Sequence, residues 1–197
     1  MTEQKDMVLV GGRMTKVSTS LREMAKAAKN RPVLVLDASG SMSDPVQSWQ
    51  EGQDSRKTKI EELRELVRKL RLEADFDQLV FHSEASFTEV ICDPTGGTAL
   101  HKALELCIAE RTGAKRFVLI TDGYPDSRPA ALECAKRLPA PLDVFYVGPE
   151  SDEGAKQFLK ELAASVGGEF GAMKIDSPEL EKKIRKALNP APKGIAL

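Results

Sequence analysis

Two apolar runs that each lead to an acidic residue constrain the fold of this chain most. Residues 33–36 read Val-Leu-Val-Leu and lead directly to Asp37, and residues 117–120 read Phe-Val-Leu-Ile and lead through Thr121 to Asp122. A short run that is apolar at every position is typical of a parallel strand covered on both faces. Both acids are therefore expected at the carboxyl ends of buried parallel strands, where α/β sheets bind their ligands.

Helical patterns alternate with strand-like runs along the rest of the chain. Strands are predicted at residues 33–37, 79–82, 87–92, 117–121, 142–147 and 172–175, and helices at about 60–70, 99–110, 127–138, 153–166 and from 178 onward. The polar gap at residues 83–86 suits a hairpin, so one edge strand is expected to be antiparallel. The alternation predicts a doubly wound, Rossmann-like α/β fold: a mostly parallel sheet with helices on both faces.

The length of 197 residues fits one domain with additions. We expect a strand and helix extension over residues 1–31, the main domain over 32–188 and a loose tail over 189–197. A short strand at residues 7–10 and a helix from Ser20 to about Asn30 are predicted within the extension. It is interpreted as an element packed on the sheet edge, or alternatively as a docking arm.

The charge balance and hydropathy exclude several classes of protein. Hydrophobic residues make up 41% of the chain and charged residues 30%, as in globular proteins. A net charge of −1 predicts no nucleic-acid partner. No apolar stretch approaches the roughly 18 residues of a membrane helix, and the acidic first residues argue against a secretory signal. A cytoplasmic location with no membrane partner is therefore expected.

The three cysteines indicate neither disulfides nor zinc. Cys92, Cys107 and Cys134 are odd in number and widely spaced, without a Cys-x-x-Cys pair. They are interpreted as small core residues.

Oxygen-bearing side chains collect at the ends of the predicted strands. They are Asp37, Ser39, Ser41, Thr98 and Asp122. Two carboxylates and three hydroxyls suit a hard divalent cation such as Mg2+, which takes oxygen ligands at about 2.0–2.1 Å. Because hydroxyls are neutral, this set leaves the ion electrophilic, and a carboxylate from outside the chain becomes a favourable ligand. Each motif alone also fits an ordinary helix cap or turn.

Thr98 is preferred over Thr95 as the ligand from the second loop. Thr98 directly follows Gly96 and Gly97, whose conformational freedom lets the backbone approach an ion.

The motifs resemble the von Willebrand factor A (vWA) family and its metal ion-dependent adhesion site (MIDAS). The signature of that site is Asp-x-Ser-x-Ser with a distant Thr and a distant Asp, and all five positions are matched here by Asp37, Ser39, Ser41, Thr98 and Asp122. The resemblance extends from about residue 32 to 188. It implies a non-enzymatic protein-interaction module that holds Mg2+, or Mn2+ or Ca2+, with one coordination position for an Asp or Glu of the partner.

The resemblance also offers a lead to the partner. Residues 37–42, Asp-Ala-Ser-Gly-Ser-Met, match a variant in bacterial members that work beside ring-shaped ATPases or in stress systems. A component of such a system is therefore an expected partner.

Two other functions remain as alternatives. The fold could serve as a scaffold that uses another surface while the metal only stabilises the loops. A metal-dependent phosphohydrolase with an aspartyl nucleophile would resemble Asp-x-Asp-x-Thr, and Ser39 stands where its second carboxylate belongs. A serine hydrolase elbow and a phosphate-binding Gly-x-x-x-x-Gly-Lys loop are both absent from the sequence.

A polar stretch over residues 43–57 separates the first motif from the following helix. It is interpreted either as a solvated spacer or as a rim of the metal site that presents Trp49 to a partner.

Overall fold

Eight strands in two sheets lie in the parts of the chain that the computed structural model describes, residues 7–10, 13–16, 30–46 and 57–189. The strands are β1 (Met7–Val10), β2 (Arg13–Lys16), β3 (Val33–Asp37), β4 (Asp77–Phe81), β5 (Ala85–Phe87), β6 (Phe117–Thr121), β7 (Leu142–Tyr146) and β8 (Phe170–Ala172). The first two pair with each other, and the other six form one sheet.

The six-stranded sheet has the order β5-β4-β3-β6-β7-β8. Only β4 and β5 pair antiparallel; the other neighbours are parallel. The chain runs outward from β3 to β4 and β5, then returns to the other side of β3 for β6. The strand order therefore reverses between β3 and β6. This reversal is the switch point of the sheet, where doubly wound sheets bind ligands. The predicted fold, including its antiparallel edge strand, is confirmed.

Five helices cover the two faces of this sheet in the described part of the chain. They are α1 (Lys59–Arg71), α2 (Leu100–Glu110), α3 (Arg128–Ala135), α4 (Glu153–Ala164) and α5 (Pro178–Leu188), and a 3-10 turn lies at Gly40–Ser43. None of the helices among these residues is both long enough and apolar enough to cross a membrane.

Successive residues of each central strand enter opposite core layers, because side chains alternate across a strand. Val33 and Val35 pack in the layer under α2, α3 and α4. Leu34 and Leu36 pack in the layer under α1 and α5. This explains why the runs that predicted the strands are apolar at every position.

Two strands differ in position from their predictions. The strand predicted at 87–92 lies at Ala85–Phe87, because the carbonyls of Ile91 and Cys92 accept hydrogen bonds from the Arg64 guanidinium instead of a strand partner (3.0 and 2.9 Å). The strand predicted at 172–175 lies at Phe170–Ala172. Beyond it, Ile175 is buried in the layer under α1 and α5.

The N-terminal extension is described only over its strands. The predicted strand at residues 7–10 is present as β1 and pairs antiparallel with β2, which the sequence analysis did not predict. The helix predicted from Ser20, residues 47–56 with Trp49, and residues 190–197 of the predicted tail lie outside the described residues.

The cysteines differ in burial. Cys107 and Cys134 lie in the core, as predicted, whereas Cys92 is half-buried. Burial raises the pKa of the Cys107 thiol to about 12. Burial is also the first cause that raises the pKa of Cys134, and the Glu105 carboxylate adds to it.

Iodoacetamide is therefore expected to label Cys92 first in the folded protein. A thiol with a pKa about three above the ordinary value holds roughly a thousandth of the usual thiolate, the reactive species. Mass spectrometry of digests at increasing times measures the order of labelling, and a urea-unfolded sample, in which all three cysteines should react alike, is the control. Labelling of Cys107 as fast as Cys92 would contradict the buried position.

Candidate metal centre

The two carboxylates lie at neighbouring strand ends on either side of the switch point. Asp37 is the last residue of β3, and Asp122 directly follows β6. The last pair between β3 and β6 joins Leu36 to Ile120, so Asp37 lies one residue beyond that pairing and Asp122 two residues beyond it. Both residues are buried, with 0% and 4% of their surface exposed. The predicted meeting of the two acids at one edge is thus present.

Asp37 is held by hydrogen bonds at both carboxylate oxygens. Oδ1 accepts from the backbone N–H of Ser39 at 2.8 Å. Oδ2 accepts from the hydroxyl of Thr121 at 2.5 Å. Thr121 was not among the predicted site residues. The signal in the sequence was a hydroxyl side chain directly before Asp122, at the end of a predicted buried strand.

The two serines of the first motif are linked to Asp122. The Oγ atoms of Ser39 and Ser41 lie 3.3 Å apart, and the Ser41 hydroxyl donates to Asp122 Oδ1 at 2.7 Å. Ser41 lies in the tight turn at Gly40–Ser43, in which Met42 is completely buried, and Ser39 directly precedes this turn. The turn therefore folds the motif back over the strand ends.

The pKa of the Asp37 carboxyl is raised to about 6. Burial is the largest cause, hydrogen bonds from Ser39 and Thr121 oppose it, and the negative charge of Asp122 adds to it. Ionised Asp37 is thus disfavoured where no cation compensates it, and a bound divalent ion would favour the ionised form.

The second loop lies beside the first, but its threonine hydroxyl is not linked to the other site residues. The Gly40 N–H donates to the Gly96 carbonyl at 3.2 Å, and the Thr95 N–H donates to the Ala38 carbonyl at 3.0 Å. Within residues 30–46 and 57–189, the Thr98 hydroxyl makes no hydrogen bond. The structure thus places the loop at the site. It joins the side chains of Ser39, Ser41 and Asp122 to one another, and it joins Asp37 to them through the Ser39 backbone N–H.

Side chains next to Gly96 and Gly97 leave no room for a Cβ atom at either position. Gly96 has φ of 63°, and a Cβ there would lie 2.3 Å from Ser83 Oγ. A Cβ on Gly97 would lie 2.7 Å from Asp126 Oδ2. Asp126 also holds the Thr98 backbone, since its Oδ1 accepts from the Thr98 N–H at 2.8 Å. The close approach is therefore to Ser83 and Asp126, and it orients the loop that carries Thr98.

Lys59 enters the site from the first turn of α1. Its ammonium lies 2.6 Å from Asp122 Oδ2, and the two side chains are 10% and 1% exposed. Thr58 fixes the start of the helix, since it forms a capping box with Glu61. The sequence analysis missed Lys59. The available signal was a lysine in the helix's apolar stripe, at an N-terminus where the helix dipole disfavours a cation.

The donor set fits a small, hard cation. Asp37, Ser39, Ser41 and Asp122 present oxygen atoms only, which Mg2+, Mn2+ and Ca2+ accept and soft metals do not favour. Within the described parts of the chain, no group of three or more His, Cys, Asp or Glu side chains is placed to hold a metal ion. A metal at this centre therefore depends on the hydroxyls as well as the two carboxylates.

Comparison with known proteins shows the fold. No protein-family model and no curated protein sequence matches the chain. The solved von Willebrand factor type A protein from Catenulispora acidiphila superposes with a TM-score of 0.62 at 16% identity, over 81% of this chain and 42% of that one. The PilB minor pilin from Streptococcus sanguinis superposes with a TM-score of 0.59 at 13% identity, over 83% of this chain and 63% of the pilin.

A solved VWA domain of similar size also matches. The SpRpn10 VWA domain gives a TM-score of 0.53 at 13% identity, over 83% of this chain and 95% of that domain. The chain thus spans less than two thirds of the Catenulispora protein and the pilin, but nearly all of this isolated domain. At these identities the likeness concerns the fold. The chain therefore has a von Willebrand factor A-like fold, in agreement with the resemblance of its motifs.

Proposed function

We propose that this protein is a metal-dependent interaction module that binds an acidic residue of a protein partner through a divalent cation. The proposed ligands are Asp37, Ser39, Ser41, Thr98 and Asp122, some of them through water. The observation that carries the proposal is the linked cluster of Asp37, Ser39, Ser41 and Asp122 at the switch point of a vWA-like sheet. Mg2+ is the proposed ion, with Mn2+ and Ca2+ as alternatives.

The charges of the cluster explain why an outside carboxylate would bind. When bound, the ion supplies a Lewis-acidic position for the partner's Asp or Glu. Asp37 and Asp122 compensate its charge from within the fold, while the serine and threonine hydroxyls add oxygen atoms without further negative charge. The hydroxyls thus keep the centre from carrying excess negative charge, and the acid of the partner can bind the ion without strong repulsion.

A recess beside the centre gives a partner further surface. It has a volume of about 510 Å³, and its lining includes Asp44, Lys59, Tyr146, Met173 and Ile175. Lys59 and Asp44 belong to both the recess and the surroundings of Asp122. A partner whose acid reaches the metal would place its neighbouring residues over this recess.

The same geometry favours binding over catalysis. Within residues 30–46 and 57–189, neither Ser39 nor Ser41 is hydrogen-bonded to a histidine. Their hydroxyls bond to each other and to Asp122. A phosphohydrolase would need a second carboxylate at position 39. We therefore propose that the protein is not an enzyme; the scaffold function, with a purely structural metal, is the second candidate.

The compartment and the partner's system belong to the proposal as well. A minor pilin and a VWA domain of SpRpn10 share the fold, so the fold does not decide the compartment. The cytoplasmic location comes from the hydropathy of the sequence, whereas an ATPase-associated or stress-system partner comes from the resemblance of residues 37–42. Cell fractionation with affinity purification in Mg2+ tests both.

Ser41→Ala is expected to weaken Mg2+ binding about tenfold or more, because such changes around a metal commonly cost that much affinity. Ser43→Ala is the matched control: it lies in the same turn, but its hydroxyl donates to the Gly40 carbonyl, outside the cluster. Titration calorimetry measures both. Equal affinities for the two variants, or no binding by the wild-type protein, would overturn the metal site.

Affinity capture of the partner distinguishes the metal-dependent interaction module from the scaffold function. Affinity purification with the wild-type protein should recover the partner in Mg2+ and lose it in chelator. Recovery that is unchanged in chelator and with Ser41→Ala would favour the scaffold function.

A further inference from the structure

We propose that Lys59 is an internal cation that occupies Asp122 in the metal-free protein and that a divalent ion must displace. This inference rests on the proposed metal site and concerns how that site is regulated. It assigns a role to a residue that lies outside the predicted ligand set.

Three oxygen atoms surround the Lys59 ammonium. Nζ lies 2.6 Å from Asp122 Oδ2, 3.2 Å from the Ser41 carbonyl oxygen and 3.5 Å from Asp44 Oδ2. An ammonium has three N–H donors, so each can be directed at one of these acceptors. The Lys59 side chain is 10% exposed, so the charge lies inside the fold.

Both carboxylate oxygens of Asp122 already accept a hydrogen bond in this arrangement. Oδ1 accepts from the Ser41 hydroxyl, and Oδ2 accepts from Lys59. Among the described residues, Lys59 is the cation that pairs with Asp122, and no lysine or arginine pairs with Asp37. Within the described residues, the negative charge of Asp122 is thus compensated by a side chain of the protein, and that of Asp37 is not.

A divalent ion and the ammonium compete for the same carboxylate. An ion that binds Asp122, directly or through water, needs an oxygen that already accepts a hydrogen bond. Two cations a few ångströms apart also repel each other strongly inside a protein. Part of the binding free energy of the metal is therefore spent on moving Lys59.

Asp44 offers the displaced ammonium a second position. Its Oδ2 already lies 3.5 Å from Nζ, and its side chain is 63% exposed. The lysine can therefore move from a buried carboxylate to one at the rim without losing an acidic neighbour. Since Lys59 also lines the recess, metal binding would change the charge presented to a partner there.

Lys59→Met is expected to bind Mg2+ about tenfold to a hundredfold more tightly than the wild-type protein, since a hydrogen bond to a charged group of this strength no longer opposes the metal. The control is Lys57→Met, which removes the same charge two residues away. Lys57 is half-exposed and pairs with Glu62 and Glu65 on the surface. The Mg2+ affinity of Lys57→Met should differ from that of the wild-type protein by less than about twofold, as expected for a screened surface charge. Calorimetry measures all three proteins.

Lysine acylation of the wild-type protein gives a readout that needs no variant. Mass spectrometry should show faster acylation of Lys59 in Mg2+ than in chelator, while the rate at Lys57 stays constant. If Lys59→Met fails to fold, this measurement still tests whether Lys59 competes with the metal for Asp122.

The outcomes separate this inference from the proposed function. If the wild-type protein binds Mg2+ and Lys59→Met binds no more tightly, or if Lys59 acylation does not respond to Mg2+, Lys59 is no competitor and the metal site stands. If neither the wild-type protein nor Lys59→Met binds Mg2+, the proposed metal site falls together with this inference.

Discussion

Asp122→Asn is expected to destabilise the metal-free protein by about 3 kcal/mol, because it removes the buried partner of the Lys59 ammonium and leaves the partly exposed Asp44 as the remaining acidic neighbour of that charge. The Lys59 ammonium lies 2.6 Å from Asp122, and both side chains are almost inaccessible to solvent. An asparagine can offer its carbonyl oxygen to Lys59 or to the Ser41 hydroxyl, but not to both. The melting temperature in chelator should fall on the order of 10 °C for a domain of this size.

A double variant provides the control for this loss. Lys59→Met combined with Asp122→Asn removes both charges, so it should recover most of the stability that Asp122→Asn loses. The interaction free energy from the four proteins of this cycle isolates the pair. A melting temperature of Asp122→Asn in chelator equal to that of the wild-type protein would show that the ion pair contributes nothing to folding.

Lys59 decides the sign of this effect. With only Asp37 and Asp122 in view, two nearby carboxylates without metal should repel each other, and neutralising either should relieve the repulsion. The structure adds Lys59 beside Asp122. Neutralising Asp37, which has no cationic partner among the described residues, is therefore the change that should relieve the repulsion between the two carboxylates.

The fold was predictable because its signals are local. Val33 to Leu36 are apolar at every position, since the strand is covered on both faces, and Ser127, with Pro129, marks the start of α3 as expected. The strand predicted at 87–92 lies instead at Ala85–Phe87, and the carbonyls of Ile91 and Cys92 accept hydrogen bonds from Arg64, which lies on α1. A contact between distant segments leaves no local pattern at the strand.

The site was predictable to the extent that its residues follow strand ends. Asp37 and Asp122 adjoin the strands themselves, and Ser39 and Ser41 follow within one turn. Lys59 lies beyond the polar stretch at 43–57, so its distance from Asp122 depends on the path of the chain. The Thr121 hydroxyl reaches Asp37 through the pairing of β3 with β6, which sequence spacing alone does not specify.

Asp37→Asn is expected to abolish the response to metal while it preserves the fold. Burial raises the pKa of this carboxyl to about 6, so at pH 7 the group is mostly ionised in a position that disfavours its charge. The amide keeps an oxygen for the Ser39 N–H, and its N–H2 group can donate to the Thr121 hydroxyl, which now accepts. The melting temperature in chelator should therefore equal or exceed that of the wild-type protein.

The metal response itself should differ sharply between Asp37→Asn and the wild-type protein. Mg2+ at a hundred times its dissociation constant should stabilise the wild-type protein by about 2.7 kcal/mol, because it binds only the native state. Asp37→Asn loses one of two carboxylates and should melt at the same temperature in Mg2+ and in chelator. Asp93→Asn, which neutralises an acid whose side chain is 94% exposed and paired with Arg64, is the control and should keep the full response. If Asp37→Asn retains the wild-type response, Asp37 does not hold the ion and the centre must be placed elsewhere.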